Sequence, residues 1–144
     1  MFLWMGLLLK GRNVMNDTKE VLTNELSDFI RMMRNRYSEM HVKEPDPRLY
    51  RGLIMEEFYE WSFEKPGTPE NFKELCDLIW VCVMYAIQNG YPLEKGMAEL
   101  MREFDSKFYD KDGNYNPQYR EEDGKLLKGS GFKKANFEQF FEEK

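Results

Sequence analysis

The chain of 144 residues is poor in the residues that build disulfides, zinc clusters and other sulfur or imidazole sites. It has two cysteines, Cys76 and Cys82, and one histidine, His41. The cysteines lie roughly 9 Å apart along one predicted helix, too far for a disulfide between them. We expect both to be reduced core residues of a cytoplasmic protein, and His41 to lie at the surface. One histidine also excludes a zinc cluster and a di-iron bundle, which needs two Glu-x-x-His motifs.

Other common functional signals are missing as well. The sequence has no Gly-x-x-x-x-Gly-Lys phosphate loop and no serine-centred nucleophile motif. Its net charge of −5 argues against a nucleic-acid partner, because the phosphate backbone requires a basic surface. The apolar run at residues 2–9 is too short to span a bilayer and lacks the features of a signal peptide. We therefore expect no stable membrane insertion.

Residues 1–14 differ from the rest of the chain. They are interpreted as an over-called start or a loosely attached arm, with a membrane-associated leader as the less favoured alternative. Met15 would make a natural second start, with Asp17 or Thr18 as the cap of the first helix. Residues 15–144 are then expected to form a single domain, a size that allows one modest core.

Apolar residues at helical spacing predict four helices in that domain. Pro47 is expected in the first turn of the second helix, Thr68 caps the third with Pro69 at its first position, and Gly90 ends it. The predicted helices cover about residues 18–40, 48–62, 69–89 and 92 to 104 or 107.

The C-terminal third has a different pattern. The turn dipeptides at residues 112–113 and 123–124 predict a small hairpin or ordered loop, with residues 119–121 paired to residues 125–127. Residues 136–144 read as a short acidic helix or a frayed tail. The predicted fold class is all-α, an antiparallel bundle of about four to five helices with a small C-terminal loop or hairpin extension.

Two acidic couples stand out on the second and third helices. Glu57 and Glu60 form one couple and Glu74 and Asp77 the other, each at i, i+3 spacing that places both carboxylates on one helix face. Four acids facing each other across a helical hairpin repel unless a cation lies between them. All-oxygen ligation suits Mg²⁺ or Mn²⁺. Glu56 is adjacent to the first couple but about 100° round the helix, and it is either a water-orienting group or plain surface.

Solvated surface acids are the ordinary interpretation of a single such couple. Here the second couple opens an apolar run at residues 78–87, and a helix that is apolar all round is normally buried. Acids at the start of a buried helix rarely lack a partner. The context therefore favours a metal site.

The pattern resembles the ExxE…ExxD signature of the all-α nucleoside triphosphate pyrophosphatases, which include the MazG proteins, dimeric dUTPases and phosphoribosyl-ATP pyrophosphohydrolases. Downstream, Ser106-Lys107 and the segment from Asp123 to Gly129 are similar to the tail of phage-type members, where an SNMSK-type stretch precedes a DGK-x-x-KG segment. The resemblance covers roughly residues 20 to 135. Phe104 stands where those relatives usually carry asparagine.

This resemblance implies Mg²⁺-dependent hydrolysis of a nucleoside triphosphate between the α and β phosphates, giving a monophosphate and pyrophosphate. It implies Glu57, Glu60, Glu74 and Asp77 as metal ligands and catalytic groups, one of them possibly the base. It also implies phosphate contacts from basic residues of the tail and the fourth helix. These substrate-binding candidates are Lys107, Lys125 and Lys128, with Arg102 and Arg120 weaker.

Relatives of this kind associate as dimers or tetramers, so the resemblance implies a homo-oligomer. We expect a dimer, with Trp80 and Tyr85 at or near its interface. Two alternatives stay open. One is a catalytically silent helical dimer that binds metal and nucleotide, and the other is a purely structural helical interaction module.

Overall fold

The computed structural model describes residues 14–141, with side chains described from residue 24 onward. Its described residues form four α-helices, one 3₁₀ turn and no strand, which confirms the all-α prediction. The expected fifth helix is only that turn. Of the predicted extension at residues 1–14, residues 1–13 lie outside the described residues, and Val14 is the first residue of a helix. The elements are α1 (Val14–Met40), α2 (Leu49–Phe63), α3 (Pro69–Gln88), α4 (Leu93–Ser106) and the 3₁₀ turn Glu138–Phe140.

The chain divides into two compact units. Among the described residues, the first unit is Thr23–Leu93, and the second combines residues 14–22 with residues 94–141. The single domain expected from length stays a prediction. Within the described residues, no helix is both long and apolar enough to cross a membrane.

The core of the first unit forms where α1, α2 and α3 meet. Ile30, Met33 and Met84 are the largest fully buried side chains. Residues 30, 33 and 37 recur on one face of α1, which is the i, i+3, i+4 spacing that predicted this helix. Burying each such apolar side chain contributes roughly 1.5–3 kcal/mol. The buried cluster is completed by Tyr37, Tyr50 and Val83.

Local chemistry explains the ends of α3. The Thr68 hydroxyl oxygen accepts a hydrogen bond from the Asn71 backbone N–H at 3.2 Å, and Pro69 opens the helix, as predicted. Gly90, with φ of 65°, follows the C-cap, and the Tyr91 N–H bonds the Ala86 carbonyl at 2.9 Å. This backbone pattern ends a helix at a residue that tolerates positive φ.

Two predicted helix starts are wrong. α1 begins at Val14, so Asp17 and Thr18 lie inside the helix and not at its cap. Pro47 does not lie in the first turn of α2, because Arg48 is the N-cap and Leu49 the first helical residue. An acceptor side chain or a proline marks a region where a helix can start, but neighbouring residues decide the turn at which it does.

The cysteine and histidine predictions are also corrected. Cys76 and Cys82 are free and exposed rather than buried in the core, because the packing around α3 leaves these two positions uncovered. Partial burial of the Cys82 thiol still raises its pKa. His41 is half-buried, and its Nε2 lies 2.5 Å from the Tyr50 hydroxyl oxygen, so it links the end of α1 to the start of α2.

The C-terminal segment of the second unit has the predicted turns. Gly113 and Gly124 have φ of 81° and 71°, which residues with a side chain rarely adopt. Tyr119 and Leu126 form an isolated antiparallel bridge across the second turn, inside the segment predicted as a small hairpin or ordered loop, and the described residues there form no strand. Arg102 of α4 donates to the Lys134 backbone oxygen at 2.9 Å and so anchors the tail of this unit to its helix.

Candidate metal centre

The candidate site lies on the antiparallel hairpin of α2 and α3. Glu57 projects from α2, whereas Glu74 and Asp77 project from α3. The Asn71 side-chain amide donates to the Glu64 carbonyl at 3.2 Å, which ties the last residues of α2 to the first turn of α3. A short connection with a fixed start of α3 sets which turns of the two helices lie opposite one another.

Three of the four predicted acids come together. Glu57, Glu74 and Asp77 each offer a carboxylate oxygen, and these oxygens all lie within 4.8 Å of one another. Two oxygens bound to one Mg²⁺ at about 2.1 Å are separated by roughly 3 to 4 Å. Small side-chain movements would therefore let this group share one ion.

Two oxygens of the cluster are buried without a hydrogen-bond donor. They are Oε2 of Glu57 and Oε2 of Glu74. A buried acceptor without a donor costs about 1–3 kcal/mol, and more when it is charged. Native structures rarely keep such atoms without a ligand, a water or an ion to satisfy them. The donor set, which is oxygen only, fits a hard divalent cation.

The electrostatics of Glu57 agree with this geometry. Burial raises the pKa of Glu57 above its ordinary value, and the neighbouring charges of Glu60, Asp77 and Glu74 raise it further. Lys73 acts in the opposite direction. The ionised form of Glu57 is therefore destabilised by burial and by its acidic neighbours, and a bound cation would reduce that destabilisation.

The fourth predicted ligand is placed differently. Glu60 is exposed and does not belong to the group of oxygens within 4.8 Å, although it lies close enough to raise the pKa of Glu57. Its role as a ligand stays a prediction. Glu56, one residue before Glu57, is exposed as well.

Sequence reasoning missed Lys73, which is the cation nearest to the cluster. Its Nζ lies 2.5 Å from Asp77 Oδ2 and 3.4 Å from Glu74 Oε1. Hydrogen bonding to Asp77 raises the pKa of Lys73. The signal was present in the sequence, because a lysine four residues before an aspartate on a helix is a standard ion-pair spacing.

The four predicted substrate-binding residues all belong to the second unit. Lys125 and Lys128 are exposed, and the Lys128 ammonium lies over the Phe132 ring at 4.8 Å from its centroid. Lys107 makes a similar contact with Phe104, at 4.3 Å. Arg102 is paired with Glu99 at 2.7 Å. Their part in substrate binding stays a prediction.

The apolar run of α3 is only partly buried. Val81, Val83 and Met84 are buried, whereas Ile79 is 51% exposed and Trp80 is 39% exposed. The single chain therefore leaves part of this apolar run exposed. Of the two residues expected at or near a dimer interface, Trp80 is exposed and Tyr85 is half-buried, and the dimer itself stays a prediction.

Comparison of the chain with protein-family models, with curated proteins and with solved structures finds no match.

Proposed function

We propose that the protein is a Mg²⁺-dependent nucleoside triphosphate pyrophosphohydrolase, with Mn²⁺ as an alternative ion. The observation that carries the proposal is the pair of buried, unsatisfied carboxylate oxygens on Glu57 and Glu74, beside Asp77. The sequence pattern that resembles the all-α pyrophosphatases supplies the reaction class. The same resemblance supports a homodimer, and the two free cysteines agree with a cytoplasmic protein.

The acidic residues of the site would have two roles, as metal ligands and as a base. Glu57, Glu74 and Asp77 would hold the ion, which stabilises charge on the leaving pyrophosphate and lowers the pKa of a bound water. Glu57 has a raised pKa and a neighbouring acid in Glu60. A divalent ion at the cluster would lower that pKa again, so Glu57 would serve as a ligand, and Glu60, which lies outside the group of three, is the acid we assign to take the proton from the attacking water.

A second candidate function is a silent protein that binds metal and nucleotide without turnover. The contact that favours it is the Lys107 ammonium over the Phe104 ring. Phe104 replaces the asparagine of the resembled pattern, and it holds by a cation–π contact a lysine that the pattern assigns to the substrate.

Pyrophosphate release from a panel of canonical and modified nucleoside triphosphates, with Mg²⁺ and with Mn²⁺, tests the proposal. Wild-type protein should turn over at least one substrate, and Glu74→Gln should abolish that activity. Glu70→Gln is the matched control, because Glu70 is an exposed acid of the same helix outside the cluster. It should behave like the wild type.

The other outcomes separate the alternatives. Metal binding by calorimetry without turnover of any substrate would favour the silent binder. Absence of metal binding would leave the structural interaction module. Turnover by Glu74→Gln equal to that of wild type would refute the assignment of the site. Light scattering that shows a monomer at all concentrations would refute the dimer.

A further inference from the structure

Lys73 occupies the outer edge of the carboxylate cluster. Its ammonium contacts Asp77 Oδ2 at 2.5 Å and Glu74 Oε1 at 3.4 Å. Within the described part of the chain, no other basic side chain lies within ion-pair distance of Glu57, Glu74 or Asp77. Lys73 is thus the one counter-ion that these residues give the cluster.

Lys73 neutralises only part of the negative charge of the cluster. One ammonium faces three carboxylates, and its contacts are to Glu74 Oε1 and Asp77 Oδ2, while Oε2 of Glu57 and Oε2 of Glu74 stay without a donor. The Lys73 side chain is 66% exposed, so it sits at the rim and not within the cluster. Its long, flexible stem lets it leave without disturbing the helix.

A divalent ion and this ammonium need the same oxygen atoms. Asp77 cannot offer Oδ2 fully to a metal while it accepts a charge-assisted hydrogen bond from Lys73. The two cations would also repel each other at this separation. Binding of one must therefore weaken binding of the other.

We propose that Lys73 is an exchangeable counter-cation that holds Asp77 and Glu74 when no metal is bound and is displaced from Asp77 by the divalent ion, so that Lys73 sets the metal affinity of the site. This inference rests on the proposed metal site. It adds a regulatory role for a residue outside the acidic pattern. The ion pair of Lys73 keeps the repulsive carboxylates together when no metal is bound. Because the metal must displace Lys73, a stronger ion pair gives weaker metal binding.

Calorimetric titration of the full chain with Mn²⁺ and with Mg²⁺ tests the inference. Lys73→Met removes the competing charge, and the dissociation constant of the metal should fall about three- to tenfold, as expected for a solvent-exposed ion pair beside an ion. Lys73→Arg keeps the charge and should bind metal with an affinity close to that of wild type. Lys65→Met is the matched control, because it makes the same change in net charge at an exposed lysine outside the cluster. It should change the affinity less than twofold.

The outcomes discriminate clearly. An unchanged dissociation constant in Lys73→Met would overturn the competition. Weaker binding in that variant would also overturn it and would show that Lys73 holds the carboxylates in a binding geometry. No metal binding by wild type or by any variant would instead refute the proposed function. Circular dichroism confirms that each variant is helical before titration.

Discussion

Glu57→Gln should stabilise the metal-free protein and reduce the stability that the protein gains from metal. The substitution keeps the shape of the side chain and removes one charge from the cluster. In the metal-free protein it removes repulsion from Glu74 and Asp77, and it converts one oxygen acceptor into an amide donor beside two carboxylates. With metal present it removes a ligand. We therefore expect a more stable protein without metal and a smaller gain when metal is added.

The structure sets the size of the effect. Two unit charges 4.8 Å apart repel by about 3.5 kcal/mol at an effective dielectric constant of 20. Lys73 and solvent offset much of this, so a net gain of about 1–2 kcal/mol is expected for the metal-free variant. In a chain of this size that corresponds to a rise in Tm of roughly 3–6 °C. Metal at 100 times its dissociation constant should stabilise wild type by about 2.7 kcal/mol, and the variant by less than half of that.

The pH dependence gives a second check with a defined sign. Because the pKa of Glu57 is raised in the folded state, the folded protein holds this proton more strongly than the unfolded chain does. The free energy of unfolding of metal-free wild type should therefore fall as the pH rises from the ordinary carboxyl pKa through the raised one. Glu57→Gln should lack this component, so the advantage of the variant should grow with pH across that interval.

Thermal and denaturant unfolding, monitored by circular dichroism in chelator and in Mg²⁺, measures both effects. Glu56→Gln is the control, because Glu56 is an exposed acid adjacent in sequence but outside the cluster. A Glu57→Gln variant that is less stable than wild type in chelator, and that gains as much stability from metal as wild type does, would refute the argument.

Three further predictions concern other parts of the chain. Lys125→Ala and Lys128→Ala should each weaken nucleotide binding by about tenfold or more, because a charge-assisted contact contributes about 1.5–3 kcal/mol. The metal affinity of both variants should change little. Unchanged nucleotide affinity by calorimetry would remove the tail from the site. Tyr37→Phe should cost about 1 kcal/mol at neutral pH. Burial first, and the hydrogen bond to a carboxylate second, raise the pKa of Tyr37 from 10.0 to about 12, so wild type should lose stability as the pH rises through that interval and the variant should lose less. Gly131→Ala should destabilise the C-terminal segment by about 1–3 kcal/mol in denaturant unfolding, because its Cβ would lie 2.5 Å from a backbone oxygen, whereas Gly52→Ala meets no atom within 4 Å and should cost nothing.

Local sequence chemistry was enough to predict most of the helices. Thr68 followed by Pro69 marks the start of α3, because the Thr68 side chain accepts a hydrogen bond from a backbone N–H of the first turn. Gly90 marks the end of α3, because it allows the chain to turn so that the next backbone N–H bonds a carbonyl of the last turn. The same is true of the turn at Gly124, whose positive φ needs no distant partner. Such features depend on neighbours in sequence, so they can be read from it.

Burial was harder to predict. Cys76 and Cys82 read as core residues because apolar neighbours surround them in sequence, yet both are exposed. His41 read as surface, yet it contacts Tyr50 nine residues away. An apolar run indicates that a helix can be buried on any side, but only packing against other helices decides which side is covered.

The candidate site shows the same division. The sequence by itself determined that Glu74 and Asp77 share a face, because i, i+3 spacing fixes their relative direction on one helix. Tertiary structure alone decided that Glu57 meets them while Glu60 stays exposed, and that two of the carboxylate oxygens are buried without a donor. The physical reason is that the rotation of each helix about its axis is set by side-chain packing across the hairpin, and that packing is not encoded in the spacing of either acidic couple.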